Sequence, residues 1–70
     1  MTEYAIVIED AGGDYSAYVP DLPGCVSTGR TVDEVTANIR EAIALHIESL
    51  RENGKEVPPS TSRAGTVKVA

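Results

Sequence analysis

Tryptophan and phenylalanine are missing from this sequence, and cysteine and histidine occur once each. A single cysteine cannot close an internal disulfide. One cysteine with one histidine also falls short of the four ligands that a structural zinc site takes. Three tyrosines are the only aromatics, which leaves little platform for stacking single-stranded bases. Basic charge is scarce as well: six Lys and Arg stand against eleven Asp and Glu, for a net charge of −5. Nonspecific phosphate binding rests on Lys and Arg, so this balance argues against it and favours a partner that is itself basic. No stretch approaches the roughly 18 consecutive apolar residues of a membrane span. No basic region followed by an apolar run opens the chain, so no secretory signal is expected. A cytoplasmic setting fits the lone thiol. No cofactor and no metal are expected.

What is present is one small domain of 70 residues. A chain this short buries only about 60% of the surface that its unfolded form exposes. Without a disulfide or a metal, the remaining supports are oligomerisation, as a dimer or higher, or a protein partner.

The pattern along the chain reads β-β-β-α-β. "EYAIVIE" (3–9) is β-rich, "DAGGDY" carries turn residues, and "YSAYV" (15–19) is the returning strand. The connecting loop is expected to be longer than the tight two-residue type. In "VPDLPGC" (19–25), Pro23-Gly24 suits the centre of a type II turn. "CVSTG" (25–29) is a short third strand. "TVDE" (31–34) forms a capping box, with Thr31 accepting from the third helical amide and Glu34 reaching back to the amide of Thr31. The helix then runs over about 32–53, and Gly54 closes it in left-handed geometry. Val35, Ile39, Ala42, Ile43, His46 and Leu50 recur at spacings of three and four as one apolar stripe. "KEVPPSTSRAG" holds too many prolines for a helix, and "TVKVA" (66–70) alternates as a last strand. The fold class is α+β, a small sheet with one helix packed on one face.

That architecture leaves a surplus. Tyr4, Ile6 and Ile8 point one way and Ala5 and Val7 the other, while Tyr15, Ala17 and Val19 oppose Tyr18. One helix covers one face, so the second apolar face invites a cover from another polypeptide.

The candidate chemical groups are sparse. Cys25 follows a tight turn, and a thiolate with His46 as base is conceivable. No third group orients such a pair, and the nearest cation to Cys25 is Arg30. Cys25 therefore reads as a small buried hydrophobe, and His46 as a packed residue of the helix stripe. A divalent-metal nuclease needs acids converging from several elements, whereas Glu3 and Glu9 sit at the ends of the first strand. Gly12 and Gly13 lie in a hairpin and do not open a helix, so they do not cradle phosphate. Glu34, Glu41, Glu48 and Glu52 share one helix side with Leu45 among them. That side is either a solvated face or a contact for a basic, partly apolar partner. Asp21 and Leu22, on a loop projecting from the sheet edge, are second candidates for contact.

The order and spacing of "EYAIVIE", "YSAYVPDLPGC", "STGRTVDEV", "NIREAIALHIESLRENG" and "EVPPS" resemble the HicB antitoxins over nearly the whole chain. The resemblance implies a fold like a pared-down ribonuclease H without its catalytic acids. It also implies a role with no chemistry of its own, namely binding and blocking HicA, a small basic toxin that cleaves messenger RNA. On this reading the partner-binding residues are Asp21, Leu22, Glu34, Glu41, Leu45 and Glu48, and none is catalytic. Many HicB proteins continue into a ribbon-helix-helix or helix-turn-helix that binds the operator. No such DNA-binding segment is seen here. The alternative is a self-associating small domain without a toxin partner.

Overall fold

The computed structural model describes residues 2–70. Three antiparallel strands, β1 (Val7–Asp10), β2 (Tyr15–Tyr18) and β3 (Val26–Gly29), form a sheet in the order β1-β2-β3 and precede one helix, α1 (Val32–Glu52). The helix packs on one face, chiefly against β3 and β2. The α+β class and the β-β-β-α order agree with the pattern of the sequence. No helix among the described residues is long and apolar enough to cross a membrane.

The first hairpin connects through residues 11–14, a loop longer than the tight two-residue type, as its sequence suggests. Asp10 pairs with Tyr15, and the Ala11 amide donates to the Asp14 carbonyl at 2.8 Å. Gly12 and Gly13 form the tip of this loop, both at positive φ, a backbone region that glycine enters without steric cost. The Asp10 carboxylate accepts from the Gly12 amide at 2.9 Å and fixes the bend. Residues 2–6 continue past the end of β2 and lie outside the strand. They have nothing to pair with, because Pro20 turns the chain away one residue after Val19.

The segment 19–25 is two consecutive turns. The Leu22 amide donates to the Val19 carbonyl at 3.1 Å, and the Cys25 amide donates to the Leu22 carbonyl at 3.0 Å. Each turn has proline at its second position, where a φ near −65° is already set. Gly24 has φ of 84°, the left-handed value that a type II turn requires at its third position. A third bond, from the Val19 amide to the Cys25 carbonyl at 3.1 Å, closes the base.

Helix α1 starts and stops where its end chemistry dictates. Thr31 Oγ1 accepts from the Glu34 amide at 3.0 Å. Glu34 reaches back one residue further than anticipated, accepting from the Arg30 amide at 3.1 Å. At the other end Gly54 donates to the Arg51 carbonyl and Lys55 to the Leu50 carbonyl. These are the two bonds of a Schellman motif, with Gly54 at φ of 67°. The first half of the helix approaches the sheet so closely that a Cβ on Gly29 would fall 2.5 Å from the Val35 nitrogen.

The core is correspondingly small. Ala17, Val19, Leu22, Cys25, Val35 and Ile39 are buried, with Tyr4, Ile6, Ile8, Tyr15, Ala42 and Ile43 packed around them. At 21 residues the helix is about 31 Å long, whereas a four-residue strand spans about 13 Å. Its C-terminal half therefore overshoots the sheet, and His46, Ile47 and Leu50 are only half-buried. Ile47 extends the stripe read from the spacing.

The expected last strand over 66–70 does not form. These residues pair with no strand, and Val67 and Val69 are 87% and 89% exposed. Alternation marks a segment able to join a sheet, but the ladder needs a neighbouring backbone, and the chain places none beside its own tail.

Candidate functional site

Asp21 and Leu22 are the candidate contacts on the corner 19–25, and the structure gives them different surroundings. Leu22 is 0% exposed. The two successive turns point its side chain into the core, so it is a packing residue and cannot touch a partner. Asp21 faces outward but is taken up by the chain itself. Its carboxylate accepts from the Thr61 and Ser62 amides, both at 2.9 Å, and from the Thr61 and Ser62 hydroxyls at 3.0 and 2.8 Å. These four donors, the Ser62 amide foremost, lower the Asp21 pKa to about 2. Asp21 is a clamp that ties the connector after the helix to the β2–β3 corner, 40 residues away in sequence. The Tyr4 hydroxyl donates to the Pro58 carbonyl at 2.7 Å and pins the same connector at a second point.

Cys25 is buried at 3% exposure, and burial pushes its thiol pKa up. An activated thiolate needs an electropositive, accessible setting, so the environment here runs the wrong way for a nucleophile. His46 lies half-buried on the overshooting half of α1. Among the described residues, no three His, Cys, Asp or Glu side chains gather at metal-binding spacing.

The helix residues behave differently. At 100° per residue, Glu34, Glu41, Leu45, Glu48 and Glu52 share one side, roughly opposite the stripe that faces the sheet. All five are exposed, and Leu45 is 60% exposed. Glu34 also has a structural duty through its bond to the Arg30 amide. Glu41, Leu45 and Glu48 have none, so an exposed leucine stands between carboxylates with nothing in the fold to explain it.

A second surface lies on the sheet face turned away from α1. Val7, Tyr18 and Val26 are cross-strand neighbours in one row, with Tyr18 41% and Val26 65% exposed. Val26 was not singled out in the sequence. Its signal was the register itself, since a residue opposite Tyr18 must share its face. The next row, Glu9, Ser16 and Thr28, is polar, so the bare apolar area is a stripe and not a whole face.

Comparison with known proteins decides the family. The profile of the HicB-like antitoxin of bacterial toxin–antitoxin systems matches residues 4–69. The chain belongs to the HicB-like antitoxin family. A UPF0150 protein of Thermoplasma acidophilum is 39% identical over 67 residues, 96% of this chain and 97% of that one. An uncharacterized 14.9 kDa protein from the rep-hol intergenic region of Haemophilus phage HP1 is 46% identical over 57 residues. The chain spans only 43% of that phage relative's length. Among solved structures, the N-terminal domain of the Burkholderia pseudomallei antitoxin HicB is similar at a TM-score of 0.71 and 42% identity, covering 83% of this chain and 69% of that one. A HicA3 and HicB3 toxin–antitoxin complex is similar at a TM-score of 0.74 and 35% identity, covering 84% of this chain and 70% of its counterpart.

Proposed function

We propose that this chain is the antitoxin module of a toxin–antitoxin pair, binding a HicA-type messenger-RNA-cleaving toxin in the cytoplasm and occluding its active site. The observation that carries this reading is family membership over residues 4–69, joined to similarity with the HicA3 and HicB3 complex. Charge supports it: a net −5 steers a chain toward a basic protein and fixes orientation on docking. The exposed Leu45 supplies a central apolar contact and Glu41 and Glu48 its charged rim, the arrangement in which a few anchors dominate binding. Occlusion needs no catalytic group on this chain, in keeping with the sparse chemistry of its surface.

Co-expression with a small basic toxin encoded beside it, followed by titration of the purified pair, tests the proposal. Leu45→Asp weakens binding by at least about tenfold, in line with loss of a buried anchor. Glu41→Lys and Glu48→Lys weaken it mainly through slower association at low salt. Glu56→Lys, an equal charge change on the connector, has little effect. Absence of binding to any such toxin overturns the function, and equal effects of all four substitutions overturn the surface.

A further inference from the structure

The tail and the open edge of the sheet have complementary needs. From Arg63 onward every residue is exposed, and Val67 and Val69 alternate as a strand does without a ladder to join. Strand β1 is an edge, so one side of its backbone is free to pair. Because α1 sits over β3 and β2, a groove of about 300 Å³ remains beside residues 2–6, which lead into that edge, lined by Tyr4, Ile6, Ile39 and Ile43, with Thr36 and Arg40 on its helix wall. A strand laid along the edge sends every second side chain to one face, which here is the face of the groove. Charge agrees with shape. The tail 63–70 carries Arg63 and Lys68 and no acid, whereas 3–10 carries Glu3, Glu9 and Asp10 and no base.

The dimensions of the single chain point the same way. Its accessible surface is 5512 Å², against about 4,200 Å² for a compact monomer of this size. Its radius of gyration is 13.3 Å, against roughly 11 Å. The Asp21 clamp holds Thr61 and Ser62 to the body, so the tail leaves from a fixed point. Eight extended residues reach up to about 28 Å, enough to cross onto a neighbour.

We propose that two copies of this chain exchange tails, residues 66–70 of each adding as a strand to the β1 edge of the other, with Val67 and Val69 seated towards the groove beside Ile6, Ile39 and Ile43. The occupant is a second copy because the tail that fits the edge is displayed away from its own body. This inference does not depend on the toxin reading.

Sedimentation of the full chain across a concentration series, with hydrogen exchange read at the same concentrations, tests it. The wild type forms a dimer, and amides of 66–70 and 4–8 gain protection together as the dimer forms. Val67→Asp with Val69→Asp weakens the dimer at least tenfold while the helical circular dichroism is unchanged. Three outcomes overturn the proposal: a strict monomer at all concentrations, a dimer that the double variant leaves intact, or tail amides already protected in the diluted monomer. The last would mean that the tail folds onto its own edge.

Discussion

Two stretches of this chain are built from similar residues and meet opposite fates. The corner 19–25 has two prolines, a valine and a leucine, and Val19, Leu22 and Cys25 end up buried. The tail 63–70 has two valines that end up almost wholly exposed. Hydrophobicity does not separate them. The corner closes on itself through three short-range backbone hydrogen bonds, so its own turns aim its apolar side chains inward. The tail has no local bond to aim it and depends on a backbone that its own body does not provide. Burial in a chain this small follows from which segments can satisfy their polar groups locally.

The largest effect that could break this contrast is at Leu22. Leu22→Ala removes a fully buried side chain from a core that holds six buried residues among those described and costs about 2–5 kcal/mol. That is a large share of the stability of a domain this size, and urea unfolding measures it. A loss below about 1 kcal/mol would mean that the corner yields and the core is not organised around it. Gly29→Ala comes next. The new methyl would meet the Val35 backbone nitrogen at 2.5 Å and its Cα at 2.8 Å, neither of which belongs to a flexible side-chain end. Overpacking of this kind costs about 1–3 kcal/mol, and the same unfolding experiment reads it. An unchanged midpoint would show that the helix start can slide away from β3.

How much of this was legible in the sequence depends on the range of the interaction. The Pro23-Gly24 turn, the Thr31 cap, the Gly54 closure and the helix stripe are encoded within four or five residues, and each forms. Even the miss at Glu34, which bonds the Arg30 amide in place of that of Thr31, is a displacement by one residue. The Asp21 clamp joins residues 40 apart, and nothing near "PDL" names Thr61 and Ser62 as its donors. Loop position suggests exposure for Leu22, whereas side-chain direction in a double turn comes from both turns acting together. The tail departs from its pattern in the opposite sense. Period-two alternation reports that a segment is able to be a strand, and the partner backbone it needs lies outside what a local pattern encodes. For the candidate surface, the helix side with Glu41, Leu45 and Glu48 was readable from 3.6-residue periodicity, whereas the Val26 member of the sheet stripe needed the strand register.

Asp21 sharpens the comparison, because it is the link between corner and tail. Its pKa in the folded chain is about 2, below the roughly 3.9 of an unperturbed aspartate. A carboxyl whose folded value is depressed contributes stability above its unfolded pKa, and loses that contribution as pH falls through the folded value. The clamp is therefore at full strength above about pH 5, weakens between about pH 4 and pH 2, and is gone below that. Asp21→Asn lowers stability at neutral pH by less than Leu22→Ala does. Near pH 3 the gap between variant and wild type narrows, because the wild-type carboxyl is then losing its own advantage. Denaturation midpoints at the two pH values check this. A gap that stays constant with pH would assign the effect to packing of the corner and not to the ionised clamp.

The smallest effect concerns the tail itself, and its smallness is the informative part. At 89% exposure, Val69 has almost no contacts to lose in a single copy, so Val69→Asp changes the stability of the dilute monomer by less than about 0.5 kcal/mol. Leu22→Ala and Val69→Asp thus alter comparable side chains with effects several-fold apart, provided the measurement is made where the chain is monomeric. Raising the protein concentration then separates stability from assembly: the wild-type midpoint climbs as a dimer forms, while that of the Val69→Asp variant stays nearly flat. A variant that is strongly destabilised even at high dilution would place the tail against its own body and erase the distinction between the two regions.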